Sequence, residues 1–243
     1  MQTSHNTILI TGGATGIGLA LTEQLTKTNT VIICGRREGK LLKAKQKFPN
    51  IHIKVCDLQI QNERIELVNW LIQSFQDINI LINNAGIQQE LNLTKIENIE
   101  HIKQEVEINL IAPVHLSTLL IPHLKTKPYS AIINISSGLA FTPIAAMPMY
   151  CATKAALHSF SLSLRHQLAK TNIKVFEIAP PMVDTELDKE MRDGHQQSDR
   201  SMKPEEFAIQ ALEVIKNDLF EAAIGFANNL RLRREEMFNN LNH

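Results

Sequence analysis

Short apolar runs alternate with longer stretches in which apolar residues recur every three or four positions. The runs TILIT (7–11), TVIIC (30–34), IHIKVCDL (51–58), INILINNAG (78–86) and AIINISS (131–137) have the length and bulk of buried strands. NIKVFEIAPPMVDT (172–185) reads as a sixth strand with the loop that leaves it, and AAIGF (222–226) as a short closing strand. Between them, residues 19–28, 38–48, 65–75 and 99–124 carry helical spacing. Trp70 falls in the apolar stripe of the third helical stretch and is expected in the core. A helix follows Pro148, and another spans 204–218 with Pro at its start, where the missing N–H costs nothing. Residues 186–202 are polar and predict a loop or lid helix, and 231–241 predict a terminal helix.

With 243 residues, 44% of them hydrophobic, the chain can bury one large α/β core or two smaller ones. The formal net charge is zero, which gives no sign of a nucleic-acid or acidic-membrane partner. The polar start MQTSHNT and the short run after it fit neither a signal peptide nor a membrane span. Cys34, Cys56 and Cys151 make an odd count without metal spacing, so no metal is expected. A soluble, cytoplasmic protein is the expectation.

The first candidate chemistry lies at the first strand's exit. TILIT runs directly into GGATGIG and then a helix. Strand, glycine turn and helix open a dinucleotide-binding unit, because glycines let backbone approach a pyrophosphate at a helix N-terminus. The spacing is Gly12-x-x-x-Gly16-x-Gly18, and a ligand-free glycine turn would read the same. The second strand ends in Gly35-Arg36-Arg37, where an NAD site usually offers a carboxylate. Two cations there favour NADP(H), with NAD(H) possible. Asp57, at the third strand's end, suits an adenine amino group or a helix N-cap. Asn83, Asn84, Ala85 and Gly86 close the fourth strand, where amides can tie strands together as well as touch ligand.

The second half carries the reactive residues. Tyr150 and Lys154 stand four apart in a helical stretch, hence on one face. A fixed ammonium beside a phenol draws the phenol toward ionisation near neutral pH. Ser137 ends a strand, where a hydroxyl can be held rigidly. Tyr-x-x-x-Lys by itself also fits a packed tyrosine beside a solvated lysine. Asn109 sits inside a helical pattern four residues before Pro113, whose missing N–H leaves the Asn109 carbonyl without its usual partner. His115 and His123 show no ligand pattern.

In this order, TGGATGIG, Asp57, NNAG, Asn109, Ser137, Tyr150-x-x-x-Lys154 and PPMVDT resemble the short-chain dehydrogenase/reductase family over residues 7–185. ICGRRE, LINNAGIQ and APPMVDT look like its DltE-like oxidoreductases. The resemblance implies a single Rossmann-type domain over residues 1–243: a doubly wound parallel sheet of about seven strands with helices on both faces. It implies a catalytic Asn109, Ser137, Tyr150 and Lys154. It places the cofactor against Gly12, Thr15, Gly16, Ile17, Gly18, Arg36, Arg37, Asp57, Leu58, Asn84, Ala85, Gly86, Tyr150, Lys154, Pro180, Val183 and Thr185. Pro181 departs from the family's usual glycine and stiffens that loop. The implied reaction moves hydride between nicotinamide and a carbonyl or secondary alcohol, with Tyr150 handling the proton and Ser137 fixing the oxygen. A cofactor-sensing protein without catalysis, or an imine or enoyl reductase, would share the fold. Leu139, Phe141, Met147, Met149 and Met182 suggest an apolar substrate wall. Similar proteins pair long helices across a homodimer or homotetramer, and residues 100–125 and 150–170 could do so here.

Overall fold

A computed structural model of the protein describes residues 1–95, 99–187 and 201–242. Seven strands form one sheet in the order β3-β2-β1-β4-β5-β6-β7. They are β1 (Thr7–Thr11), β2 (Thr30–Gly35), β3 (His52–Val55), β4 (Ile78–Asn83), β5 (Ser130–Ile135), β6 (Ile173–Ala179) and β7 (Glu221–Ala223). Every neighbouring pair is parallel. The order reverses between β1 and β4, and the cleft where ligands bind in such sheets opens at that switch.

The central strands β1, β2, β4 and β5 are largely apolar on both faces because helices cover both. On one face Ile8, Ile10, Ile33 and Ile82 meet α1 (Gly16–Leu25), α2 (Glu38–Lys47) and α7 (Pro204–Lys216) through Leu21, Leu41 and Phe207. On the other, Leu9, Ile32, Leu81 and Ile132 meet α3 (Gln61–Ser74), α5 (Ala112–Leu124) and α6 (Pro148–Gln167) through Leu71, Leu116 and Leu164. The strict period of two divides consecutive residues of each strand between these two cores.

The long helical stretch is interrupted. α4 (Ile99–Val106) passes into a π-helical turn, Glu107–Ile111, before α5. Pro113 cannot donate to the Asn109 carbonyl, and the backbone widens there: Ala112 N–H bonds back to Glu107 O.

Three expectations need correction. β7 is Glu221–Ala223, because Gly225 takes φ +58° and turns the chain into α8 (Phe226–Arg233). The terminal stretch is not one helix: Arg234, at φ +47°, ends α8, and a 3-10 turn (Arg234–Met237) and α9 (Phe238–Leu241) follow. Trp70 is only half-buried, set edge-on to Phe75 at 5.3 Å with the Lys54 ammonium 5.1 Å from its ring centre. It caps the sheet margin, and the aliphatic residues of α3 fill the core. The predicted lid falls mostly outside the described residues. Its far end, Met202, is stitched to the loop after β6, donating to Met182 O at 3.0 Å and accepting from Asp184 N–H at 2.9 Å.

α1 is pressed against the turn that precedes it. A Cβ on Gly18 would lie 2.3 Å from Gly12 O and 2.6 Å from Asn84 Nδ2. Gly18→Ala is therefore expected to destabilise the fold by about 1–3 kcal/mol despite alanine's better helix propensity. Urea unfolding checks this; unchanged stability would mean α1 can withdraw from the turn without cost.

Candidate active site

A cleft of about 330 Å³ opens at the C-terminal edge of the sheet. Of the predicted cofactor residues, Gly12, Thr15, Gly16, Ile17, Arg36, Arg37, Asp57, Leu58, Asn84, Ala85, Gly86, Tyr150, Lys154, Pro180 and Thr185 line it. Gly18, Asn109, Ser137 and Val183 are not among its lining residues. A larger hollow of about 610 Å³, bordered by His5, Asn29 and Asn79, contains none of the predicted residues.

The glycine turn is shaped by close approach. Gly12 has φ +65°, and a Cβ there would sit 3.0 Å from Ala85 Cα. Gly16 has φ +51°, and its Cβ would press on Thr185 at 3.0 Å. Thr11 Oγ1 accepts from the N–H groups of Asn84 and Ala85 at 2.9 and 3.0 Å, and Asn84 Nδ2 returns a bond to Thr11 O at 2.9 Å. Asn84 therefore joins β1 to β4 while bordering the cleft. Asn83 is purely internal, donating to Asn134 Oδ1 at 2.9 Å.

Arg36 and Arg37 reach the margin where sequence places them. Arg37 bonds Glu186 at 3.1 Å, and Lys40, one turn into α2, grips the other oxygen of the same carboxylate. The Lys40 hydrogen bond leads the causes that hold the Glu186 carboxyl below its ordinary range. Lys40 carried no distinct signal in sequence, since it sits in a helix full of lysines. Asp57 Oδ1 accepts from Gln59 N–H at 3.0 Å, so the carboxylate braces the turn before α3 beside the cleft. Below Leu58 lies a network that sequence did not reveal. Buried Arg64 bonds Leu58 O, Glu107 Oε1 at 2.7 Å and His115 Nδ1 at 3.1 Å, tying α3 to the π-turn and α5.

The residues predicted to react converge where β5 ends. Ser137 lies two residues beyond the strand, and its Oγ accepts from Leu139 N–H at 3.1 Å, leaving the hydroxyl proton to donate. Lys154 crosses from α6 to donate to Ile135 O at 2.9 Å. Its ammonium stands 5.7 Å from the centre of the Tyr150 ring. Burial brings Lys154 down from 10.5 to about 8, with the Glu177 charge pulling upward. Asn109 spends its side chain on structure: Oδ1 accepts from Ile87 N–H at 2.9 Å, and Nδ2 donates to Ile87 O at 2.8 Å and Thr153 at 3.2 Å. Gly86 fits beneath this group, since a Cβ there would be 3.3 Å from Asn109 Oδ1 and 3.6 Å from Lys154 Nζ. Val183 is buried and Pro180 O accepts from Gly138 N–H at 2.9 Å, which links the β6 loop to the Ser137 turn. Leu139, Phe141, Met149 and Met182 are partly exposed, whereas Met147 is core and leaves the substrate wall.

A family profile for short chain dehydrogenases matches residues 6–196. The chain is 49% identical over 218 residues to the uncharacterized oxidoreductase DltE of Bacillus subtilis (strain 168), covering 89% of this chain and 86% of that one. It is 31% identical over 176 residues to a probable NADP-dependent dehydrogenase of Haemophilus influenzae, covering 72% and 70%. A solved short chain dehydrogenase/reductase from Burkholderia phymatum, in complex with NAD, has a TM-score of 0.87 at 18% identity and covers 100% of this chain and 97% of that one. A short-chain dehydrogenase from Sphingobium yanoikuyae, in complex with NADPH, has a TM-score of 0.80 at 25% identity, covering 90% and 87%.

Glu105, on α4, packs behind this site with no accessible surface. Its Oε1 accepts from Gln89 N–H at 3.0 Å, and Oε2 meets no donor among the described residues. Burial raises its carboxyl to about 7. The fold thus favours the protonated acid, a contribution present below pH 4.5 and lost as pH rises through 7. Glu105→Gln keeps the acceptor without the charge. It is expected to match the native chain at pH 4.5 and exceed its stability at pH 8 by about 1–3 kcal/mol. Denaturant titrations at both pH values test this; a pH-independent difference would rule out titration of Glu105.

Proposed function

The chain belongs to the short-chain dehydrogenase family, and from that premise we propose that it transfers hydride between NADP(H) and the carbonyl or secondary alcohol of a small, apolar substrate. The observation that carries this reading is the buried Lys154 ammonium fixed 5.7 Å from the Tyr150 ring. Burying an ammonium costs several kcal/mol. A packed tyrosine would not need one, whereas a phenol that must exchange protons near neutral pH does.

Bound nicotinamide supplies the hydride chemistry. The residues present fit such a group: Gly12 and Gly16 keep open a cradle that side chains would fill, and the N-terminal amides of α1 border it. The Glu186 carboxylate between Arg37 and Lys40 supports the phosphate-bearing cofactor, because these two cations already converge on one anionic group at the cleft margin. Arg36 would add a third positive charge there. Tyr150 O–H gives a proton to the substrate oxygen in reduction and takes one in oxidation. Ser137 O–H donates to the same oxygen and orients it; one such donor can be worth about 3–4 kcal/mol in the transition state. Lys154 holds the Tyr150 ionisation within reach of neutral pH and would also hold the nicotinamide ribose. With the Asn109 side chain committed to Ile87, its main-chain carbonyl in the widened turn is the group that would hold a water leading to Lys154. Leu139, Phe141, Met149 and Met182 would form an adaptable apolar wall.

Tyr150→Phe is expected to leave NADPH binding intact while carbonyl reduction falls by roughly 10²–10⁴-fold. Steady-state turnover beside a fluorescence titration tests this, and full activity would overturn the assignment. The titration should also show tighter binding of NADPH than NADH. Lys40→Ala and Arg37→Ala should each weaken NADPH roughly tenfold and leave NADH nearly unchanged. Equal losses for both cofactors would refute recognition of the extra phosphate.

A further inference from the structure

Behind the reactive residues, one rung of the sheet is polar across four strands. Asn83, Asn134, Glu177 and Glu221 are register partners on β4, β5, β6 and β7. Each answers a helix on the same face. Asn83 bonds Ser117 on α5 at 3.3 Å, Asn134 bonds Ser161 on α6 at 2.9 Å, and Arg231 on α8 bonds Glu221 at 2.6 Å. Glu177 is fully buried, and its Oε2 lies 2.7 Å from His158 Nδ1 on α6. Glu177 Oε1 meets no donor among the described residues. An orphaned carboxylate oxygen is costly inside a protein and asks for a positive neighbour.

The cation one helical turn from His158 on α6 is Lys154. Tyr150, Lys154 and His158 recur every four residues along α6 and so form one stripe facing the sheet. Lys154 bonds the carbonyl of Ile135, whose register partner is Ile178, the residue after Glu177. The Glu177 charge is the one that acts against burial at Lys154. Three other charged groups are turned elsewhere. Glu221 is answered by Arg231, Arg165 by the carbonyls of Val175 and Phe220, and Glu105 lies on α4 against Gln89. His158, Glu177 and Glu221 place ligand atoms within 4.8 Å of one another, but the Arg231 guanidinium already holds Glu221.

We propose that Glu177, anchored by His158, is a positioning residue that keeps Lys154 cationic beneath Tyr150. The catalytic stripe then has a buried anion on its sheet side, and His158 fixes where that anion sits. The His158 ring also meets Phe141, a residue of the expected substrate wall, edge-on at 4.9 Å. The inference rests on the proposed roles of Tyr150 and Lys154, but its test does not need turnover.

Lysine labelled with ¹³C at Cε reports ionisation by NMR, and loss of one resonance in Lys154→Met assigns Lys154. Glu177→Gln should lower the Lys154 midpoint by about one pH unit, a tenfold loss of proton affinity. His158→Leu should move it the same way, and Glu177→Asp, which keeps the charge, should restore most of it. In turnover, the alkaline limb of kcat/KM for carbonyl reduction should follow these shifts. A midpoint unmoved in both Glu177→Gln and His158→Leu, even with a lowered Tm, would overturn the proposal and leave the pair a packing feature. If Glu177→Gln fails to fold, His158→Leu and Glu177→Asp decide the same question by the same resonance. A native chain that reduces no carbonyl would sink the proposed function, while the Lys154 titration would still decide this inference.

Discussion

Much of this structure answers to one cost, the burial of the Lys154 ammonium at the end of β5. Water solvates a cation far better than a protein interior does, so the group must be met by fixed dipoles and charge. The Ile135 carbonyl is available because β5 ends there, and further pairing would have consumed it. The Glu177 charge acts in the same sense from the next strand. Even so, burial wins in part and brings the lysine to about 8. A group poised there senses small changes around it, which is useful beside a phenol and useless in a surface lysine.

Placing that lysine requires the helices to be where they are. α6 must lie close enough to the sheet for a side chain to cross, and the small or polar contacts between Asn134 and Ser161 permit that approach. The segment after β4 must then be held off the ammonium, and Asn109 does this by pairing both amide atoms with the Ile87 backbone. The Asn109 side chain can reach Ile87 because the π-turn redirects the helix, and the π-turn follows from Pro113. On the other side of the cleft the same logic applies to backbone in place of charge. Gly12, Gly16 and Gly18 let the turn, β4 and the β6 loop come within contact of one another. The two halves of the cleft therefore share a dependence on close approach.

How much could be read beforehand varies by residue and for identifiable reasons. The strands were legible because a parallel sheet covered on both faces makes runs such as TILIT and INILIN apolar throughout. Tyr150 and Lys154 were legible because helical spacing fixes which residues share a face. The C-terminal elements were misread because a positive φ at Gly225 and Arg234 breaks the chain without any change in hydrophobic pattern. Lys40, Arg64 and Glu105 were invisible because nothing local distinguishes a charged residue that is buried or paired from one that is solvated. Met147 looked like a wall residue from its place in the chain, yet packing made it core.

The amino-acid sequence by itself determined the alternation of elements, the glycine turn and the helical stripe carrying Tyr150 and Lys154. Each of these depends on dihedral preference, periodicity or spacing along the chain, and all three are local. Tertiary structure alone decided that Glu177 would face His158, that Glu186 would meet Arg37 and Lys40, and that Glu105 would lose its water. Those outcomes depend on strand order and register, which bring Arg37 and Glu186 together from 149 positions apart. Charge and solvation act through space, and their effect exists only once the sheet has chosen the neighbours.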